Sequence, residues 1–200
     1  MTASILLASR NAKKLAELRR ILAPLVDVDV LGLDDVAGYP ETPESGATFA
    51  DNALIKARDG FAHTGLVTVA DDSGLTVDAL NGMPGVLSAR WAGSAKDDEA
   101  NLRLVLDQVA DVPDERLGAA FVTTVALVGP TGEQTVDGRM PGRLIRTPRG
   151  ANGFGYDPIF VPDGYDVTSA ELTPAEKDAI SHRGQALRRL APLVQVALAG

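Results

Sequence analysis

Residues 117–145 limit the folds open to this chain more than any other stretch. "LGAAFVTTVALV" and "EQTVDGRMPGRLI" are two runs of strand-forming residues on either side of the turn residues "GPTG", which predicts a β-hairpin. Elsewhere strand-like and helix-like segments alternate without linker, repeat or low-complexity tract. Alternation favours a parallel sheet, and a hairpin cannot belong to an all-parallel one. The expectation is therefore an α/β domain with a mixed sheet, covering residues 1–200 as one unit.

"SILLAS" (4–9) predicts a short buried strand. "NAKKLAELRRIL" (11–22) carries Leu15, Leu18 and Leu22 at helical spacing and stops before Pro24. "DVDVLGL" is a second strand. A Pro/Gly-rich loop (37–46) leads to a helix near 47–62 with Ala50, Leu54, Ala57 and Phe61 on one side. "GLVTVADDSG" (65–74) reads as a strand running into acid and glycine, and "KDDEANLRLVLDQVAD" (96–111) as an amphipathic helix. The last helix opens at "TPAEK", with Thr173 as N-cap, Pro174 at the first helical position and Glu176 closing a capping box. Its stripe is Ile180, Leu187, Leu190 and Val194, and Gly184 weakens its middle.

Composition enters by what it excludes. A formal charge of −8 is wrong for a polyanion partner, so no nucleic acid is expected, although a small anion could still meet a local cluster of lysine and arginine. No run approaches the length of a membrane span, and the N-terminus lacks the layout of a signal peptide. Zero cysteines remove disulfides, zinc-thiolate sites and thiol nucleophiles together; the expected compartment is the cytoplasm.

Four polar groupings remain. "SRNAKK" (9–14) lies at a strand-to-helix junction, where free backbone amides and the helix dipole favour a phosphate; Asn11 is equally a plain helix cap. Glu44 with Asp71 and Asp72 supplies hard oxygen ligands of the kind Mg²⁺ takes. "DDSG" taken singly reads first as a turn. If the strand continued, the two aspartates would face opposite ways. "GFGYDPIF" (153–160) gathers Phe154, Tyr156 and Phe160 in a chain with one tryptophan, three tyrosines and five phenylalanines. Tyr156 and Phe160 are expected in the core, while Phe154, between two glycines, reads as a stacking platform for a base. "KDAISHRG" (177–184) brings Lys177, His182 and Arg183 together as donors for carbonyl oxygens. His63 is too distant in sequence for a histidine pair to suggest a metal site. A nucleoside triphosphate would reconcile all four.

With these residues assembled, the chain resembles the inosine triphosphatases, or dITP/XTP pyrophosphatases, which act on deaminated, non-standard purine nucleotides. The resemblance is full-length and follows six pieces in order: Ser9-x-Asn11-x-x-Lys14, "ESGATFADNALIKA", "ADDSGL", "PGVLSARW", "GFGYDPIF" and "AISHRGQAL". Ser9 stands where threonine is frequent, and Trp91 where tyrosine is expected. The resemblance implies an elongated central mixed β-sheet flanked by helices, two lobes around a cleft, and a homodimer. It implies Mg²⁺-dependent hydrolysis of ITP, dITP and XTP to monophosphate and pyrophosphate. By position, Ser9, Arg10, Asn11, Ala12, Lys13 and Lys14 would hold the phosphates. Asp72 would accept a proton and, with Glu44, contact the metal. Ser73, Phe154, Gly155, Tyr156, Asp157, Lys177, His182 and Arg183 would touch substrate. Alternatives are a pyrophosphatase of the Maf type, acting on pyrimidine or modified nucleotides, and a nucleotide-sensing module without chemistry. An RNA-binding protein fits poorly with the acidic balance.

Overall fold

The computed structural model describes residues 3–40 and 42–199. Among these, six strands form one sheet in the order β2-β1-β3-β4-β5-β6. They are β1 (Ala3–Leu7), β2 (Val28–Leu31), β3 (Thr68–Val77), β4 (Gly118–Gly129), β5 (Gly132–Leu144) and β6 (Phe160–Pro162). β1 runs parallel to both β2 and β3, and β5 runs antiparallel to β6. β4 and β5 are sheet neighbours joined through Pro130 and Thr131, so the hairpin forms and the sheet is mixed.

The helices are α1 (Ala12–Leu22), α2 (Phe49–Thr64), α3 (Asp98–Gln108), α4 (Pro174–Ile180) and α5 (His182–Ala199). Their starts are written locally. Asn11 caps α1 by accepting from the amides of Lys13 and Lys14. Thr48 with Asp51 and Thr173 with Glu176 close capping boxes on α2 and α4, and Asp97 caps α3.

The chain divides into two compact units. Unit 1 comprises Met1–Asp72, Thr123–Gly138 and Arg183–Gly200; unit 2 comprises Ser73–Val122 and Arg139–His182. Each has its own core. In unit 1, Ile5, Leu7, Val69 and Val125 of the sheet bury against Leu18 and Leu22 of α1 and Leu187, Leu190 and Val194 of α5. In unit 2, Leu75, Phe121 and Phe160 bury against Leu102 and Val105 of α3. Among the described residues no helix is long and apolar enough to cross a membrane.

Three local expectations are corrected. β3 runs straight through Asp71, Asp72, Ser73 and Gly74, so this stretch is strand and not turn. Burial of Val69, Ala70, Leu75 and Val77 on a paired strand overrides the turn preference of the four residues between. The final helix is two: Ser181 takes extended backbone (φ −62, ψ 151) and ends α4, placing the break three residues before Gly184. The inward face of α2 is Asn52, Ala53, Ala57 and Gly60, with Leu54 and Phe61 only partly covered. That rotation brings an asparagine into the interior.

Candidate active site

Open α/β sheets place ligands beyond the carboxyl ends of their parallel strands, and in unit 1 the polar residues singled out from the sequence lie past the end of β1. β1 last pairs with β3 at Leu7↔Val69. Beyond that register the chain leaves the sheet through Ser9–Asn11 into α1, and β3 continues beside β4 into Asp71 and Asp72.

These neighbouring carboxylates point into different surroundings, as strand geometry requires. Asp71, 4% exposed, meets Lys14 Nζ at 2.8 Å and accepts from Arg183 Nε and Nη2, each at 3.3 Å. Arg183 also donates to Glu17 at 2.5 Å. Asp72, 8% exposed, accepts from Asn52 Nδ2 at 3.0 Å and lies 3.7 Å from Lys56 Nζ. Lys56 Nζ donates to Glu44 at 2.9 Å.

Their acidities separate accordingly. Burial would raise Asp71, but Lys14, Arg183 and Lys56 outweigh it and hold the carboxyl far below the usual carboxylate range. Burial raises Asp72, with Glu44 acting in the same direction, and Lys56 and Asn52 only partly offset it. Burial lowers Lys14 despite its bond to Asp71. Lys56, which burial would lower, is raised by the three carboxylates around it.

The 9–14 segment is internally bonded. Asn11 Oδ1 accepts from the amides of Lys13 at 2.9 Å and Lys14 at 3.3 Å, and Ser9 Oγ accepts from Asn11 N at 3.2 Å. Ala12 opens the helix behind this cap. Arg10 lines a cavity of 260 Å³ with Leu33, Asp34, Val36, Gly38 and Tyr39.

Unit 2 holds the aromatic loop. Tyr156 and Phe160 are core residues, 5% and 0% exposed, whereas Phe154 is half-buried. Tyr156 donates its hydroxyl to Ser88 O at 2.7 Å, and burial, then Asp98, raises its pKa. Asp157, 2% exposed, accepts from Phe154 N at 2.8 Å and Lys177 Nζ at 2.5 Å. Lys177 Nζ stands 5.4 Å from the centre of the Phe154 ring, within cation–π range. Gly153 (φ +77) is required twice over, since a Cβ there would also lie within 2.1 Å of Asp157 Oδ2. Gly155, at φ +61, donates to Asp98 at 2.9 Å. His182 stacks on Phe121 with ring centroids 5.2 Å apart.

Lys14, Asp71, Asp72, Glu44 and Arg183 thus gather in unit 1, and Phe154, Asp157, Lys177 and His182 lie in unit 2. Ser73 is half-buried on β3. Sequence reasoning gave no role to Glu17, Asn52 or Lys56. For the last two a signal existed: an i, i+4 polar pair places both side chains on one face of a helix.

A mixed sheet with paired acids on β3 and an aromatic–cation loop is the build of an α/β nucleotide-handling enzyme. The chain belongs to the Ham1 family, whose model matches residues 5–193. It is 66% identical over 193 residues to a dITP/XTP pyrophosphatase of Nocardia farcinica, covering 95% of this chain and 94% of that protein. A crystal structure named nucleoside-triphosphatase / dITP/XTP pyrophosphatase, from Mycobacterium abscessus, is 63% identical with a TM-score of 0.77, covering 94% of this chain and 99% of that one. A HAM1 protein from Coxiella burnetii is 42% identical with a TM-score of 0.88, over 98% of this chain and all of its own.

Proposed function

We propose that this chain is a dITP/XTP pyrophosphatase that hydrolyses ITP, dITP and XTP between the α- and β-phosphates, giving the nucleoside monophosphate and pyrophosphate. The observation that carries the reading is the difference in partners: Asp71 is bonded to Lys14 and Arg183, whereas Asp72 takes one amide donor from Asn52 and faces Lys56 at 3.7 Å. Adjacent titratable groups driven apart in acidity are the mark of divided roles in a catalytic site. Asp71 is locked as an ion among cations, and Asp72 is left as the better base.

In this reading Asp72 takes the proton from the water that attacks the α-phosphorus. General-base assistance contributes roughly 10²–10⁴-fold. Lys14 and Lys56 offer positive charge to the departing pyrophosphate, and Arg183 holds Asp71 in place. Glu44 and Asp72 suit Mg²⁺: two hard carboxylates already share one cation, Lys56. Among the described residues no three His, Asp or Glu side chains converge to complete a shell, and Mg²⁺ commonly fills the rest with water and substrate phosphates. When bound, the ion supplies Lewis-acid charge neutralisation.

The base is assigned to Phe154 for stacking, with Lys177 and His182 as donors to the 6-keto oxygen of hypoxanthine or xanthine. Arg183, expected from the sequence as a donor there, is bonded instead to Asp71 and Glu17. Adenine places a 6-amino donor at that position, and mispairing a site built for an acceptor discriminates by about 10⁴–10⁵. The first loop serves the phosphates through Lys13 and Lys14 with Ser9, Arg10 and Asn11. The chain passes between the units at Asp72–Ser73 and again at His182–Arg183, and neither unit is one continuous segment. That supports treating residues 1–200 as one catalytic domain, which we propose acts as a homodimer.

The test is purified protein with Mg²⁺ and a panel of ITP, XTP, dATP, GTP and TTP, with pyrophosphate and orthophosphate measured separately. Pyrophosphate from ITP and XTP is expected. Orthophosphate as the first product, or no turnover of any triphosphate, overturns the reading.

A further inference from the structure

Asn52 is fully buried on α2, at a place in a helix where an apolar side chain is the ordinary occupant. Both halves of its amide are used. Nδ2 donates to Asp72 Oδ2 at 3.0 Å, and Oδ1 accepts from the Gly46 amide at 2.8 Å. Gly46 lies two residues beyond Glu44, and the approach is close. A Cβ on Gly46 would stand 2.8 Å from Asn52 Oδ1 and 3.0 Å from Asn52 N. One side chain therefore reaches the acid on β3 and the loop that carries Glu44.

A carboxylate turns easily about its last torsion, whose energy wells are broad. A donor fixed on Oδ2 sets the carboxylate plane and leaves Oδ1 as the oxygen turned toward Lys56, at 3.7 Å. We propose that Asn52 is a positioning residue for pyrophosphate release: it orients Asp72 through Oδ2, so that Oδ1 is the atom presented to the attacking water, and it ties the Glu44 loop to that same orientation through Gly46. The inference rests on Asp72 as proton acceptor. Misplacing a reacting group by about 1 Å costs on the order of 10²-fold, which sets the expected size of the effect.

Two substitutions remove the donor, and one of them keeps the anchor. Asn52→Asp keeps an oxygen for the Gly46 amide but replaces the donor facing Asp72; Asn52→Ala removes both. Each should lower kcat on ITP by on the order of 10²-fold with little change in KM. On an Asp72→Ala background neither should lower the residual rate further, because groups acting as a unit are not additive. A second readout needs neither metal nor turnover. Urea unfolding of the wild type, Asn52→Ala, Asp72→Ala and the Asn52→Ala/Asp72→Ala double, in chelator, should show non-additive stability losses.

Wild-type turnover by Asn52→Asp would overturn the proposal, because the donor would then be irrelevant. So would a kcat loss from Asn52→Ala that is undiminished on the Asp72→Ala background, or additive unfolding losses. Wild-type turnover by Asp72→Ala itself would remove the proton-acceptor reading and this inference with it. In that case only the unfolding cycle reports whether the two side chains are coupled.

Discussion

At the scale of the residue, the site turns on two aspartates that share a peptide bond and almost nothing else. Asp71 is surrounded by cations, while Asp72 has one amide donor and one more distant ammonium. Asp72→Asn should therefore lose at least about 10²-fold in kcat at modest cost in KM, measured by pyrophosphate release from ITP. Phe154→Ala should weaken the nucleotide by the value of one stacked base, about 1–3 kcal/mol. Inhibition by tripolyphosphate, which has no base, should not change. The pair "DD" is plain in the sequence, as is the odd ring between two glycines. What distinguishes the two acids is not, because their partners lie at residues 14, 52, 56 and 183. Only the folded chain decides which carboxylate meets which cation.

At the scale of the element, the helix starts were legible because their chemistry is local. Thr173, Pro174 and Glu176 stand within four residues and cap α4 as written. Thr173→Ala should cost about 1 kcal/mol of stability, read from urea unfolding. It should also raise KM for ITP, since α4 carries Lys177. The failures were tertiary. Nothing local marks Ser181 as the break between α4 and α5, and "DDSG" carries turn residues that neighbouring strands hold extended. On α2 the apolar pattern gave a face rotated away from the true one, and Asn52 and Lys56 were lost with it. Polar residues on an inward face are invisible to a hydrophobic stripe and conspicuous only once their partners are known.

At the scale of the whole molecule, the mixed sheet was legible from the hairpin, whereas the assignment of segments to two units was not. Unit 1 is closed by an ion cluster that joins α1, β3 and α5, with Arg183 bonded to residues 112 and 166 positions away. Asp71→Asn would leave Lys14 and Arg183 partly uncompensated, and breaking a buried pair costs about 3–5 kcal/mol. The pH dependence follows from the sign of the shift. Asp71 has a folded pKa below the unfolded value of about 3.9, so between the two values the unfolded chain binds more protons. Its stabilisation is complete above about pH 4 and is lost as pH falls through the lower folded value. The gap in unfolding free energy between wild type and Asp71→Asn should thus be widest near neutrality and shrink in strong acid. A constant gap would mean that Asp71 is not charged in the folded protein.

That cluster also sets an order of events during synthesis. Arg183 leaves the ribosome some 110 residues after Asp71, so a nascent chain carries both aspartates and Lys14 well before it has the arginine that completes their arrangement. Hydrolytic competence should accordingly arrive late and abruptly, when α5 docks, and stalled chains ending before residue 183 should carry the acids without the activity.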